Sequence, residues 1–233
     1  MVRARSHFHE ELEALELDVL AMGQLSERAL GMAVELLGAP DAAERAQAVI
    51  DGDDAIDDRY LAVERRWLEL LALQTPVASD LRLVSALLHI NLHLERVGDM
   101  AVNIAKIARD TADLPPNQRI VTHLREMCDV VRPMLRMAMD AFVQRDLDKA
   151  VMLPAMDDPV DRLNRNMYNE VLACAGQPDM LEWAIRMMVV SRQLERAGDH
   201  AVDIGEQVAF LLTGDFQEFT DASHPEVSPP DVR

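Results

Sequence analysis

The stretch LERVGDMAVNIAKIA, Leu94 to Ala108, returns one hundred positions later as LERAGDHAVDIGEQV, Leu194 to Val208. This internal repeat limits the possible folds more than any other feature of the chain. Upstream, Met22, Leu30, Met32, Ala33 and Asp41 align with Met127, Leu135, Met137, Ala138 and Asp146 at an offset of 105, and Asp53 and Asp57 with Asp157 and Asp161 at 104. At Glu95/Glu195 and Asp99/Asp199 the offset is 100, so the second copy carries short deletions. One of them falls at the turn where AGQPD replaces the longer LQTPVASD. A duplication at this period implies two units of one fold in tandem.

The period inside each copy is helical. From Phe8 to Leu37, apolar residues recur at three- and four-residue steps: Leu12, Leu15, Val19, Met22, Leu25, Ala29, Met32, Ala33 and Leu36. Gly38-Ala39-Pro40 breaks the pattern, and Asp41 with Glu44 has the spacing of a capping pair. A second helix is expected to continue through Asp53, Asp57 and Trp67 to about Leu73. Thr75-Pro76 reads as an N-cap followed by proline at the first helical position, opening a third helix that ends near Asp110. DLPPNQ, Asp113 to Gln118, is the clear linker. The expected fold is all-α, with three-helix bundles at 1–113 and 114–220. The Pro-rich, aperiodic tail 221–233 is expected to be disordered.

Composition narrows the function. Leu, Ala and Met are abundant and aromatics scarce, which suits packed helices better than a β-sandwich. A net charge of −18 excludes a duplex-binding surface, which needs clustered Lys and Arg against the phosphates. It suits a solvated surface or sites filled by cations. No apolar run reaches the roughly 18 residues of a membrane span, and no signal peptide opens the chain. Two widely spaced cysteines, Cys128 and Cys174, read as structural thiols in a reducing compartment, giving a cytoplasmic expectation.

The chemistry lies in four carboxylate pairs: Asp53 with Asp57, Glu95 with Asp99, Asp157 with Asp161, and Glu195 with Asp199. Residues four apart lie about 40° apart on one helical face, so each pair presents its oxygens together. Like charges at that spacing weaken a helix, and a cation between them reverses the sign. Oxygen-accepting metals fit, among them iron, zinc, manganese, magnesium and calcium. In each copy a glycine, Gly98 or Gly198, stands between glutamate and aspartate at a cost of about 1 kcal/mol relative to alanine. On the helical wheel it falls inside the apolar stripe, with the carboxylates on the stripe's shoulder. A glycine there admits a neighbouring helix closely enough to bring Asp53 and Asp57 towards Glu95 and Asp99. The competing reading is a set of solvated acidic patches, or pairs neutralised by Arg96 and Arg196.

Asn103 and Asp203, each four residues past the second carboxylate, are additional ligand candidates, set about 80° from the glutamates. His200 lies about 140° around the helix from Glu195 and reads as a surface or interface histidine. His89, His93 and His123 have no ligand partner at suitable spacing. The methionines from Met127 to Met139 read as a core stripe.

VIDGDDAIDDRY, then LLALQTPVASDLRLVSALLHINLHLERVGDMAVNIAK, then a second copy ending LERAGDHAVDIGE, closely resemble the PhoU family over roughly Arg3 to Phe216. The resemblance implies two three-helix bundles related by pseudo-twofold symmetry. It implies multinuclear iron or zinc clusters at Asp53/Asp57, Glu95/Asp99, Asp157/Asp161 and Glu195/Asp199. It also implies a non-enzymatic, cytoplasmic, commonly dimeric adaptor between a phosphate ABC transporter and a membrane sensor histidine kinase. Such an adaptor restrains phosphate uptake and the starvation response when phosphate is plentiful, and approaches the membrane only through its partners. Asp203 departs from the family's usual Asn, and Gly205 from its usual Ala.

Two other classes compete. A ferritin-like carboxylate metalloenzyme uses Glu-x-x-His pairs projecting into a bundle core, and this chain has no Glu followed by His three residues on. A metal-free helical scaffold would leave the acid pairs empty.

Overall fold

The structure is a computed structural model, which describes residues 2–74, 76–77 and 79–219. The apolar stripe of the first thirty-odd residues forms α1 (Val2–Glu35) and buries Leu12, Leu15, Val19, Met22, Leu30 and Ala33. Met32 turns outward, because its neighbour Ala33 takes the inward position. Past α1, Gly38 adopts φ +73°, a left-handed turn that suits glycine, and Ala39-Pro40 leads into α2 (Ala42–Gly52).

Asp41 does not cap α2 with its side chain. It pairs instead with Arg45 at 3.2 Å, one turn on, so the expected capping pair is not made. The expected single helix through to Leu73 is also interrupted. The Asp53 N–H bonds back to Ile50 three residues earlier, and α3 (Asp54–Gln74) restarts with Ile56 and Asp57 both donating to the Asp53 carbonyl. Gly52 weakens the helix there, and Asp54 and Asp57 favour a fresh N-terminus in their first turn. α4 (Ser79–Asp110) begins later than expected, with Pro76 and Val77 outside any helix; Thr75 lies outside the described residues.

The second copy comprises α5 (Gln118–Gln144), α6 (Leu147–Leu172) and α7 (Pro178–Thr213). Asn117, at the end of the linker, caps α5 by accepting from the N–H groups of Arg119 and Ile120. Here the carboxylate-bearing helix α6 is unbroken, but it contains Pro154 and Pro159, each of which removes a backbone donor. Thus both copies loosen the same stretch of helix, one with a break and the other with prolines. Among the described residues there are no strands, and the tail 221–233 lies outside them.

α1, α2, α3 and α4 pack as the first bundle and α5, α6 and α7 as the second. α4 lies along α7 and α1 along α5, so one apolar core runs through both. Met127, Met134 and Met139 are buried in it, as the stripe predicts. At its edge, Glu27 of α1 takes ion pairs from Arg132 and Arg136 of α5, and Glu16 pairs with Arg145 at 2.7 Å. No described helix is long and apolar enough to cross a membrane.

Candidate metal centre

Each carboxylate cluster forms where a glycine lets two helices meet. A β-carbon added to Gly98 on α4 would lie 3.0 Å from Asp53 Oδ1 and 3.0 Å from Ile56 Cδ1. At Gly198 on α7 the same β-carbon would collide with Asp157 Oδ1 of α6. The missing side chains are therefore the space into which Asp53 and Asp157 project, beside the glutamate and aspartate on either side of each glycine.

In the first cluster, burial and the facing carboxylates of Asp57, Asp99 and Asp54 push Asp53 up to about 6. Asp57 and Glu95 are also raised, by burial and then by the negative charge of Asp99. Arg96 Nε approaches Glu95 Oε2 at 3.4 Å, and its Nη1 lies 3.7 Å from Asp99, a partial neutralisation by a half-exposed side chain. Glu95 Oε2 is itself buried and makes no hydrogen bond.

The second cluster is deeper. Asp157 and Glu195 are buried, and the cleft they line, with Asp161 and Asp199, encloses about 730 Å³. Burial and Asp199 push Glu195 up to about 7, against the lowering effect of Arg192, which forms an ion pair with Glu195. Asp199 is raised by burial, and Asp161 pairs with Arg165 at 3.1 Å. Glu195 Oε2 is buried without a hydrogen-bond partner. Arg192, one turn earlier, makes the ion pair with Glu195, and the adjacent Arg196 that the sequence suggested acts on it more weakly, through its charge.

These features fit a cation. An all-oxygen donor set, a glycine cradle that keeps a carboxylate close, and buried glutamate oxygens that make no hydrogen bond are what a hard or borderline metal would use. As they stand, the carboxylate oxygens do not close into a set of three within 4.8 Å in either cluster. Asn103 is exposed on α4.

Asp203 lines the rim of the second cleft, where its charge helps to raise Asp199, and it also faces two histidines. His93 Nδ1 of α4 lies 3.1 Å from His200 Nδ1 of α7, and Asp203 Oδ2 lies 3.4 and 3.2 Å from the two nitrogens. Spacing along the chain could not find this pair, because its members are 107 residues apart. His89 and His123 make ordinary contacts to the carbonyls of Ser85 and Leu163.

Beyond Gly214 the chain folds back along α7. Phe216 stacks on Phe210 with centroids 3.8 Å apart, and the Phe219 N–H donates to Glu206 Oε1 at 2.6 Å. Gly205 lets α6 approach closely: a β-carbon there would lie 2.6 Å from Leu153 Cδ1 and 3.1 Å from the Ala150 carbonyl oxygen, and in ordinary contact, at 3.5 Å, with the Phe219 ring. Glu218 and Phe219 thereby form one wall of the second cleft.

The family model described as the PhoU domain matches this chain twice, at residues 19–108 and 124–208. The chain belongs to the PhoU family. The phosphate-specific transport system accessory protein PhoU homolog of Caulobacter vibrioides is 34% identical over 209 residues, covering 89% of this chain and 90% of its own. The homolog of Clostridium acetobutylicum is 34% identical, covering 90% and 96%. Among solved structures, PhoU from Pseudomonas aeruginosa superposes with a TM-score of 0.84 at 32% identity, over 89% of this chain and all of its own. The phosphate transport system regulatory protein PhoU from Streptococcus pneumoniae gives 0.80 at 27%, covering 90% and 99%. The duplicated helical bundle is thus a PhoU fold, and both domain matches contain an E-R-x-G-D cleft.

Proposed function

We propose that this chain is a negative regulator of phosphate uptake and of the phosphate-starvation response. In this reading it is a cytoplasmic, dimeric, metal-binding adaptor between a phosphate ABC transporter, through its ATPase, and a sensor histidine kinase. The observation that carries the proposal is the pair of glycine-cradled carboxylate clefts, one in each PhoU domain. Relatives named as accessory or regulatory proteins of phosphate transport support the same reading and favour an adaptor over an enzyme.

Asp53, Asp57, Glu95 and Asp99 would hold metal in the first cleft, and Asp157, Asp161, Glu195 and Asp199 in the second. Iron and zinc are the leading candidates among divalent metals that accept oxygen ligands. A bound cation would supply positive charge between carboxylates that neighbouring helices bring to one cleft. The protein's own part is to hold those carboxylates in place: Gly98 and Gly198 set the helix separation, and Ile56 packs against Gly98. Arg96 and Arg192 supply partial charge compensation from the flank.

Deletion of the gene in a strain carrying a phosphate-responsive reporter tests the regulatory role. The reporter is expected to be on in high phosphate without this protein; a reporter that stays repressed overturns the reading. Elemental analysis of protein purified without chelator tests the metal. Finding no transition metal, and no stabilisation on adding iron or zinc, rejects the metal clusters and leaves a metal-free scaffold.

A further inference from the structure

We infer that His93, His200 and Asp203 form a nitrogen-containing site for one zinc-class divalent cation, tying the first bundle to the second. The site adjoins the second carboxylate cluster at the rim of the same cleft, and its three ligand atoms are distinct from those of the E-R-x-G-D carboxylates. Among the described residues, it is the one set of three His, Cys, Asp or Glu ligand atoms lying within 4.8 Å of one another.

The geometry carries the inference. The three ligand atoms form a nearly equilateral triangle with edges of 3.1, 3.2 and 3.4 Å. Zinc bonds of about 2.0–2.1 Å at tetrahedral angles place neighbouring ligand atoms about 3.3–3.4 Å apart. The triangle is therefore close to one face of a zinc tetrahedron, with a fourth position open. The rings are tilted by 48° with centroids 5.2 Å apart, so the histidines meet through their nitrogens and not through stacked faces.

Proton counting gives the same answer. Two Nδ1 atoms and a carboxylate oxygen are three acceptors unless protons are supplied, and two Nδ1–H groups would clash at 3.1 Å. One proton on His200 can serve His93 and Asp203, but it leaves the His93 lone pair facing the Asp203 oxygen. A cation satisfies all three at once. His200 Nε2 is buried without a hydrogen-bond partner, so the Nδ1 cluster is the polar contact that orients this ring.

The donors come from both halves: His93 from α4, His200 and Asp203 from α7. A cation here bridges the two bundles along their packed seam, which none of the E-R-x-G-D carboxylates does.

The test is zinc and cobalt(II) titration of the full chain, stripped of metal, in four forms: wild type, H93Q, E95Q/D99N/E195Q/D199N, and the two combined. Wild type is expected to bind one equivalent more than H93Q, with cobalt giving visible bands of a four-coordinate, nitrogen-ligated ion that H93Q lacks. The carboxylate variant should keep one zinc and gain thermal stability from it; the combined variant should do neither. Equal stoichiometry and equal cobalt spectra in wild type and H93Q overturn the inference, and that comparison stands if the multiple variant does not fold. If the carboxylate variant binds no zinc, the histidine site is rejected while metal in the clefts survives. If wild type and the carboxylate variant each bind a single zinc that H93Q abolishes, the histidine site stands and the clefts are rejected.

Discussion

Asp157 Oδ1 occupies the volume that a β-carbon on Gly198 would fill. The carboxylate of one helix is thus accommodated by the absence of a side chain on the other. The predicted consequence of Gly198→Ala is a separation of stability from metal retention. Asp157 can rotate away, and alanine gains up to about 1 kcal/mol of helix propensity, so the melting temperature should move little. The second cleft should nonetheless lose its metal, read as lower stoichiometry by elemental analysis. Gly98→Ala should be costlier, because the added carbon also meets Ile56 of the core at 3.0 Å.

Metal-free protein should be more stable near pH 5 than near pH 7.5. A carboxyl whose pKa is raised by folding binds its proton more tightly in the folded state. Stability therefore falls as pH rises from the unfolded values, 3.8 for Asp53 and 4.5 for Glu195, through the folded values of about 6 and about 7. Asp57, Glu95, Asp199 and Glu206 are raised as well and act in the same direction. His93, lowered to about 4, opposes them, since folding disfavours its protonation below its ordinary value of 6.5. Six acids against one imidazole set the net sign. Calorimetry in chelator should show the decline, and zinc should remove it; a melting temperature that rises across this window contradicts the account.

Asn117→Ala should cost about 1 kcal/mol, the usual value of an N-cap side chain. Its Oδ1 accepts from Arg119 at 2.9 Å and from Ile120 at 3.4 Å, and its amide contacts Cys174 and Met180. Asp41→Ala should cost less, because Asp41 caps nothing with its side chain and its partner Arg45 is half-exposed. Urea midpoints of the two variants, at unchanged slope, make the comparison.

Neither thiol should react with iodoacetamide in the folded protein at pH 8. Cys128 and Cys174 are both buried, and burial pushes the Cys128 thiol up to about 12. Both should be alkylated within minutes once guanidinium unfolds the chain. A rapidly alkylated thiol under native conditions would contradict this packing.

What could be read from the sequence was whatever repeats at short range. The helical period of Leu12, Leu15, Val19 and Met22, the doubled E-R-x-G-D, and the glycine's place in the apolar stripe are local patterns, and the close approach of Asp53 to Gly98 followed from them. The break at Asp53 was harder to see, since a run such as DGDDAIDD is compatible with either a continuous helix or a restart. Tertiary packing hid the rest. His93 and His200 carry no signal in their own neighbourhoods, and α4 and α7 bring them to 3.1 Å. Arg192 stands one turn before Glu195, a spacing at which side chains meet on a helix, so its ion pair is a local one.

The seam where α4 lies along α7 joins corresponding elements of the two copies, so it has the form of an interface between identical subunits. A chain with only one copy could cover that face only by pairing with itself, and any substitution would then appear on both sides. Fusion of the copies makes the contact independent of concentration and releases the two sides to diverge. His200 and Asp203, which meet His93 across this seam, stand where the first copy has Met100 and Asn103.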